Sequence, residues 1–165
     1  MWLRSENPGN DRRVIFVVLA IETVLQLSLF GAALAALSGT QLAVGGLLTF
    51  GLYFFGTVLP TMILVQALMV PRFLALTRSV LASIVLGGLA YAAVHFFDGW
   101  TDYSSPSLAL LSLGLLLLQY FVPGMFKSLL TLRTGNAWVH AWAYHAVAPH
   151  LWADTPLIVR IFGLR

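Results

Sequence analysis

The chain has no cysteine, which excludes disulfides, thiolate metal sites, iron–sulfur clusters and a thiol nucleophile together. Charge is scarce too. Only 9% of the 165 residues are Asp, Glu, Lys or Arg, 59% are hydrophobic, and the mean hydropathy is +0.89. Soluble domains carry about 25% charged residues, so this chain cannot cover itself with water-compatible surface. Its length leaves no room for a separate soluble domain. The net charge of +3 sits in short flanking segments and forms no basic stripe interleaved with aromatics. That pattern fits topological signal and headgroup contact, and gives no support to a nucleic-acid partner. The HExxH pattern of zinc proteases is missing, as are the internal repeats and paired broken helices of many transporters.

What is present is a series of apolar runs. A span of the ~30 Å hydrocarbon core takes ~20 residues. Residues 1 to 13 are polar and read as a cytoplasmic N-terminal segment. The run after them lacks a small-residue cleavage pattern, so it reads as a retained span and not a signal peptide. Helix one is expected over residues 14 to 37, and helix two over residues 42 to 70 with a kink at Pro60. Helix three is expected from about Ser79 to Phe97. Helix four is expected over residues 107 to 126, ending at Lys127 and Arg133. If these alternate, Arg4, Arg12, Arg13, Arg72, Arg78, Lys127 and Arg133 share one side and Asp98 and Asp102 the other. The positive-inside rule makes the first side cytoplasmic. Residues 136 to 153, interrupted by Pro149, form a fifth helix that is short or re-entrant. The expected fold is all-α, a polytopic transmembrane helix bundle with a single domain over residues 14 to 153 and a tail over residues 154 to 165. The expected location is the bacterial inner (plasma) membrane, with the N-terminus cytoplasmic.

Few polar groups lie inside these runs. Glu22 and Gln26 sit one helical turn apart in helix one, where a carboxylate costs roughly 2.5 to 3.5 kcal/mol on insertion scales. Glu22 reads either as a ligand or proton acceptor, or as one half of a helix–helix hydrogen bond. The stretch from Thr131 to Asp154 concentrates His140, His145 and His150 with Trp138, Trp142 and Trp152. The histidines recur every five residues, an advance of about 140° per step on a helix, so one unbroken helix cannot aim all three at one point. A site would use one or two of them with His95, with Asp98, Asp154 or Tyr144 fixing the imidazole tautomer. Imidazole suits a transition-metal ion or a tetrapyrrole metal. The bland reading is an interfacial aromatic belt, with Trp138, Trp142 and Trp152 as membrane-interface anchors.

Three segments in order, GGLAYAAVHFFDGW, LQYFVPGMFKSLL and TLRTGNAWVHAWAYH, resemble the C-terminal half of the CPBP membrane family, the CAAX prenyl protease type II and Abi group. Tyr91 to His95 resembles the family's FxxxH motif with Tyr for Phe. Arg133, Thr134, Gly135, Asn136 and Trp138 resemble its basic turn. The family's EExxxR element falls on Ala67, Leu68, Met69, Val70, Pro71 and Arg72, so the arginine is kept and both carboxylates are absent. The resemblance implies a second histidine at His145, one residue later than the family spacing, and puts Pro149 where an Asn is expected.

Three functions follow. The first is a non-proteolytic relative serving as an accessory or structural subunit, with other membrane subunits and the lipid bilayer as partners. The second is a metal-dependent intramembrane hydrolase, with His95, His145 and Glu22 as catalytic candidates. The third is a haem- or chlorophyll-type cofactor-binding subunit, with His95, His140, His145 and His150 as candidate ligands and Asp98 beside them.

Overall fold

The computed structural model describes residues 3–96, 101–145 and 149–165, with the backbone alone for residues 140, 144, 145, 149 and 150. The described residues form helices and turns, with no strand among them.

Each helix start carries its own chemical signal. Helix α1, Pro8–Ala35, opens with proline in the first turn, the Asn7 side chain accepting from the Asn10 amide at 3.1 Å, and Asp11 at the positive end of the dipole. Helix α2, Gly39–Thr77, starts on a reciprocal cap: Ser38 Oγ accepts from the Gln41 amide at 3.2 Å and Gln41 Oε1 from the Ser38 amide at 2.9 Å. It runs through Pro60 and Pro71, well past the expected end at residue 70. Two π-helical segments, Phe54–Val58 and Met62–Met69, flank Pro60, and the first of them holds the carbonyls that its missing N–H would otherwise have met. Arg78, at φ 53°, ends the helix in the left-handed conformation.

Helix α3, Val80–Val94, is capped by Ser79 and closes on His95, sooner than the expected end at Phe97. Helix α4, Pro106–Thr134, starts on the Ser105 cap. It does not stop at residue 126: Lys127 is buried inside it, and Gly135, at φ 66°, terminates it by donating its amide to the Thr131 carbonyl at 2.8 Å. Residues 137–145 form α5, α-helical over Ala137–His140 and π-helical over Ala141–His145. Helix α6, Pro149–Ile161, follows. Helices α1, α2 and α4 are long and apolar enough to cross a membrane.

The chain divides into two compact units. The first, Thr61–Ala137 with the N-terminal residues through Glu6, is built on α3 packed against the second half of α4. The contact is close because three glycines permit it. A Cβ on Gly88 would lie 2.8 Å from the Phe121 carbonyl oxygen, and one on Gly124 would lie 2.7 Å from Tyr91 Cβ. The loop before α4 is tied back to α3: the Tyr103 hydroxyl donates to the Phe96 carbonyl at 2.8 Å and its ring stacks on Phe96. Within that loop Ser104 donates to Asp102, first through its side chain and then through its amide, and holds the Asp102 carboxyl below its ordinary range.

In the second unit, Asn7–Pro60 with Trp138–Arg165, α6 packs along the first half of α2. Gln41 Nε2 donates to the Leu164 carbonyl at 3.1 Å, Gly45 faces Val159 and Thr155, Thr155 Oγ1 meets Thr49 Oγ1 at 3.3 Å, and Tyr53 hydrogen-bonds Asp154. Contacts that climb α2 descend α6, so the two helices are antiparallel. The C-terminal end of α6 therefore lies beside the start of α2.

The glycine contacts set two expectations. Gly88→Ala forces its new methyl onto the Phe121 backbone and lowers stability by about 1–3 kcal/mol. Gly114→Ala, with open space around it on α4, is neutral or stabilising by up to about 1 kcal/mol. Unfolding of the two variants in mixed detergent micelles checks both. Equal effects would refute the close-packed interface.

Candidate functional site

Four helical segments of the first unit meet at a buried polar centre. On α3, Tyr91 and His95 are four residues apart and share a face. On α4, Gly124, Lys127, Ser128 and Thr131 share another. The π-helical segment of α2 supplies Gln66, and a π-helical turn of α4, Leu117–Phe121, supplies Tyr120. Gln66 and Thr131 are fully buried, and Tyr91, Lys127 and His95 nearly so.

The contacts form a chain. Lys127 Nζ donates to Tyr91 Oη at 2.6 Å and sits 4.1 Å from the centroid of that ring. The Tyr91 ring lies 5.0 Å from His95, and His95 stacks on Tyr120 at 4.0 Å with 19° between planes. One turn beyond Lys127, Thr131 Oγ1 contacts the Lys127 carbonyl at 3.0 Å and Gln66 Oε1 at 3.1 Å. Val65, next to Gln66, packs with Val70 and Tyr91 in the apolar cluster beneath. An ammonium in a spanning segment is tolerated only with polar partners, and the Tyr91 hydroxyl is one. Gln66 Nε2 is buried and has no hydrogen-bond partner among the described residues. The centre thus holds an ammonium, an amide, hydroxyls and an imidazole.

The histidine expectations divide. His95 lies in the centre. Asp98 lies outside the described residues, as do the side chains of His140, His145 and His150, whose described backbone is helical. Glu22 belongs to the other unit, half-buried, where its Oε2 accepts from Gln26 Nε2 at a long 3.4 Å. Trp142 tilts against Phe54 at 5.7 Å between ring centroids, and Trp138 and Trp152 are half-buried. Arg72 and Arg133 are exposed, Arg133 in the last turn of α4 where the helix dipole favours a cation. Thr134, Gly135 and Asn136 form the turn that ends α4, with the Asn136 amide donating to Thr134 Oγ1 at 3.3 Å. Among the described residues no three His, Asp or Glu side chains gather into a metal-binding group.

Sequence reasoning missed Gln66, Tyr120 and Thr131, and it placed Lys127 as a flanking charge at a helix end. A signal for Lys127 was available: Gly124, Lys127, Ser128 and Thr131 are small or polar residues at helical spacing on one face of an otherwise apolar run. Comparison with protein-family models, with curated proteins and with solved structures returns no match for this chain.

The lysine–tyrosine contact is open to a double-mutant cycle. Tyr91→Phe leaves the buried ammonium short of a partner and costs about 1–3 kcal/mol. Lys127→Met costs less, and the double variant recovers most of the Tyr91→Phe loss. Unfolding in detergent measures all three, and strictly additive effects would refute the coupling.

Proposed function

We propose that this chain is a non-proteolytic relative of the CPBP membrane proteins and works as an accessory subunit of a larger membrane assembly. One observation carries the reading: on α2, where the resemblance calls for paired carboxylates, the buried polar residue is an amide. Ala67 and Leu68 occupy the expected glutamate positions, and the buried polar residue beside them is Gln66, resting on Thr131. An amide cannot act as a general base.

The local backbone supports the resemblance itself. His145 falls one residue late relative to the family spacing, and it closes the π-helical turn Ala141–His145. A π turn holds more residues than an α turn and absorbs such an insertion. The subunit reading draws on the surface. Helix α1 exposes Phe16, Ile21, Val24 and Leu29, and little of its most apolar stretch is covered by the chain's own residues. Such helices fit contact with lipid and with neighbouring spans.

The antiparallel pairing of α6 with α2 supports a topology of five crossings, with α5 and α6 as the fifth. Helix α1 leads from the N-terminus to the turn before α2, and the Leu164 carbonyl sits beside that same turn on Gln41. The C-terminus then lies on the opposite membrane face from the N-terminus, and Arg160 and Arg165 depart from the positive-inside pattern.

Two experiments test this reading. Purification from the native membrane in mild detergent yields stoichiometric partner chains and no metal or chromophore. One metal or pigment per chain, lost in His95→Ala, would overturn it. Reporter fusions at the two termini report opposite faces, whereas two cytoplasmic termini would sink the five-crossing topology.

A further inference from the structure

We infer that the end of the first unit where α2 turns into α3 and α4 stops is a docking surface for anionic phospholipid headgroups, with Arg78 and Arg133 as its main contacts. This surface lies apart from the buried centre and goes beyond the subunit reading.

The register of α3 against α4 brings the two arginines to one end. A Cβ on Gly87 would meet Ser128, one on Gly124 would meet Tyr91, and His95 stacks on Tyr120. Contacts that climb α3 descend α4, so these helices are antiparallel and the start of α3 lies level with the last turn of α4. Arg78 immediately precedes the Ser79 cap of α3, and Arg133 sits in that last turn. Both are exposed, as is Arg72 on the last stretch of α2. The N-terminal residues reach the same end: Glu6 Oε2 lies 4.0 Å from where a Cβ on Gly135 would stand, and Arg4 is two residues away. Against these arginines, the described acidic residues of the unit are Glu6 here and Asp102 before the start of α4.

The backbone at Arg78 is a second, independent observation. A left-handed residue that ends a helix is ordinarily glycine or asparagine. This chain puts glycine there at the end of α4, yet at the end of α2 it puts arginine, the one non-glycine residue with positive φ among those described. A side chain kept where glycine would relieve strain points to a use for its guanidinium. A guanidinium matches phosphate oxygens in paired hydrogen bonds.

Depth selects a lipid over a soluble anion. Helix α4 has 29 residues, about 43 Å at 1.5 Å per residue, against a hydrocarbon core of ~30 Å. Its ends therefore extend into the headgroup zones. Beside Arg78, the side chains of Leu76, Val80 and Leu81 are exposed, so one short stretch offers apolar surface for acyl chains and charge for phosphate.

The test follows thermal unfolding of the full-length protein in neutral maltoside micelles against dioleoyl phosphatidylglycerol, dioleoyl phosphatidylcholine and glycerol 3-phosphate. Phosphatidylglycerol is expected to raise Tm saturably and by more than phosphatidylcholine, and added salt to weaken the effect. Arg78→Gly and Arg133→Gln should each weaken the apparent lipid affinity roughly fivefold, the change that about 1 kcal/mol per arginine implies. Arg160→Gln, which makes the same change in net charge on the other unit, should leave it unchanged. Arg78→Gly without lipid should be at least as stable as the parent, because the left-handed cap suits glycine.

Equal shifts with the two phospholipids would overturn the headgroup assignment. So would an affinity that Arg78→Gly and Arg133→Gln leave intact. An equal loss in Arg160→Gln would replace the surface with diffuse attraction to net charge. A lower Tm for lipid-free Arg78→Gly would return that arginine to capping α2 and overturn its part in the surface. Glycerol 3-phosphate raising Tm as far as phosphatidylglycerol would overturn the lipid source.

Discussion

Lys127 is a positive charge in a helix long enough to span a bilayer, and the centre of the first unit is arranged around making that tolerable. Its ammonium reaches the Tyr91 hydroxyl only because α3 and α4 come unusually close. That approach depends on Gly88 and Gly124, where any Cβ would strike backbone or the Tyr91 side chain. The glycines and the lysine are one device. Small residues bring the helices together, and the short distance lets a hydroxyl on one helix satisfy a charge on the other.

The π-helical segments serve the same centre. A regular α-helix repeats its faces every 3.6 residues or so, and a π turn shifts the faces that follow it. Gln66 and Tyr120 lie on π segments of α2 and α4: Gln66 meets Thr131, one turn beyond Lys127, and Tyr120 stacks on His95. Pro71 and Pro123 follow these segments, which gives the departures from α geometry a local cause: proline removes an N–H, and a longer hydrogen-bond register accommodates the loss.

The second unit pairs its polar groups along α2 and α6. Along α2, Gln41, Thr49 and Tyr53 meet Leu164, Thr155 and Asp154, so backbone and side-chain polar atoms pair within the bundle while apolar side chains face outward. Thr49 and Thr155 are fully buried and meet across Gly45, again a position where only a hydrogen fits comfortably. The same rule governs both units: in hydrocarbon a polar atom must find its partner inside the protein.

The sequence by itself determined that the chain is helical and membrane-compatible, because the length and apolarity of a run are properties of the run. It also named His95 as a candidate and Gly135 as part of a turn, through short motifs that resemble a family's, although it ended helix four at residue 126. It set Glu22 beside Gln26, a spacing that any helix brings together. Tertiary structure alone decided the rest. Lys127 read as a flanking charge because its partner, Tyr91, lies 36 residues away. Gln66 drew no notice because its importance rests on Thr131, 65 residues on. The direction of α6 depended on contacts with α2 more than a hundred residues earlier. Periodicity reports which face a residue occupies, but which face it meets is set by packing between helices distant in sequence.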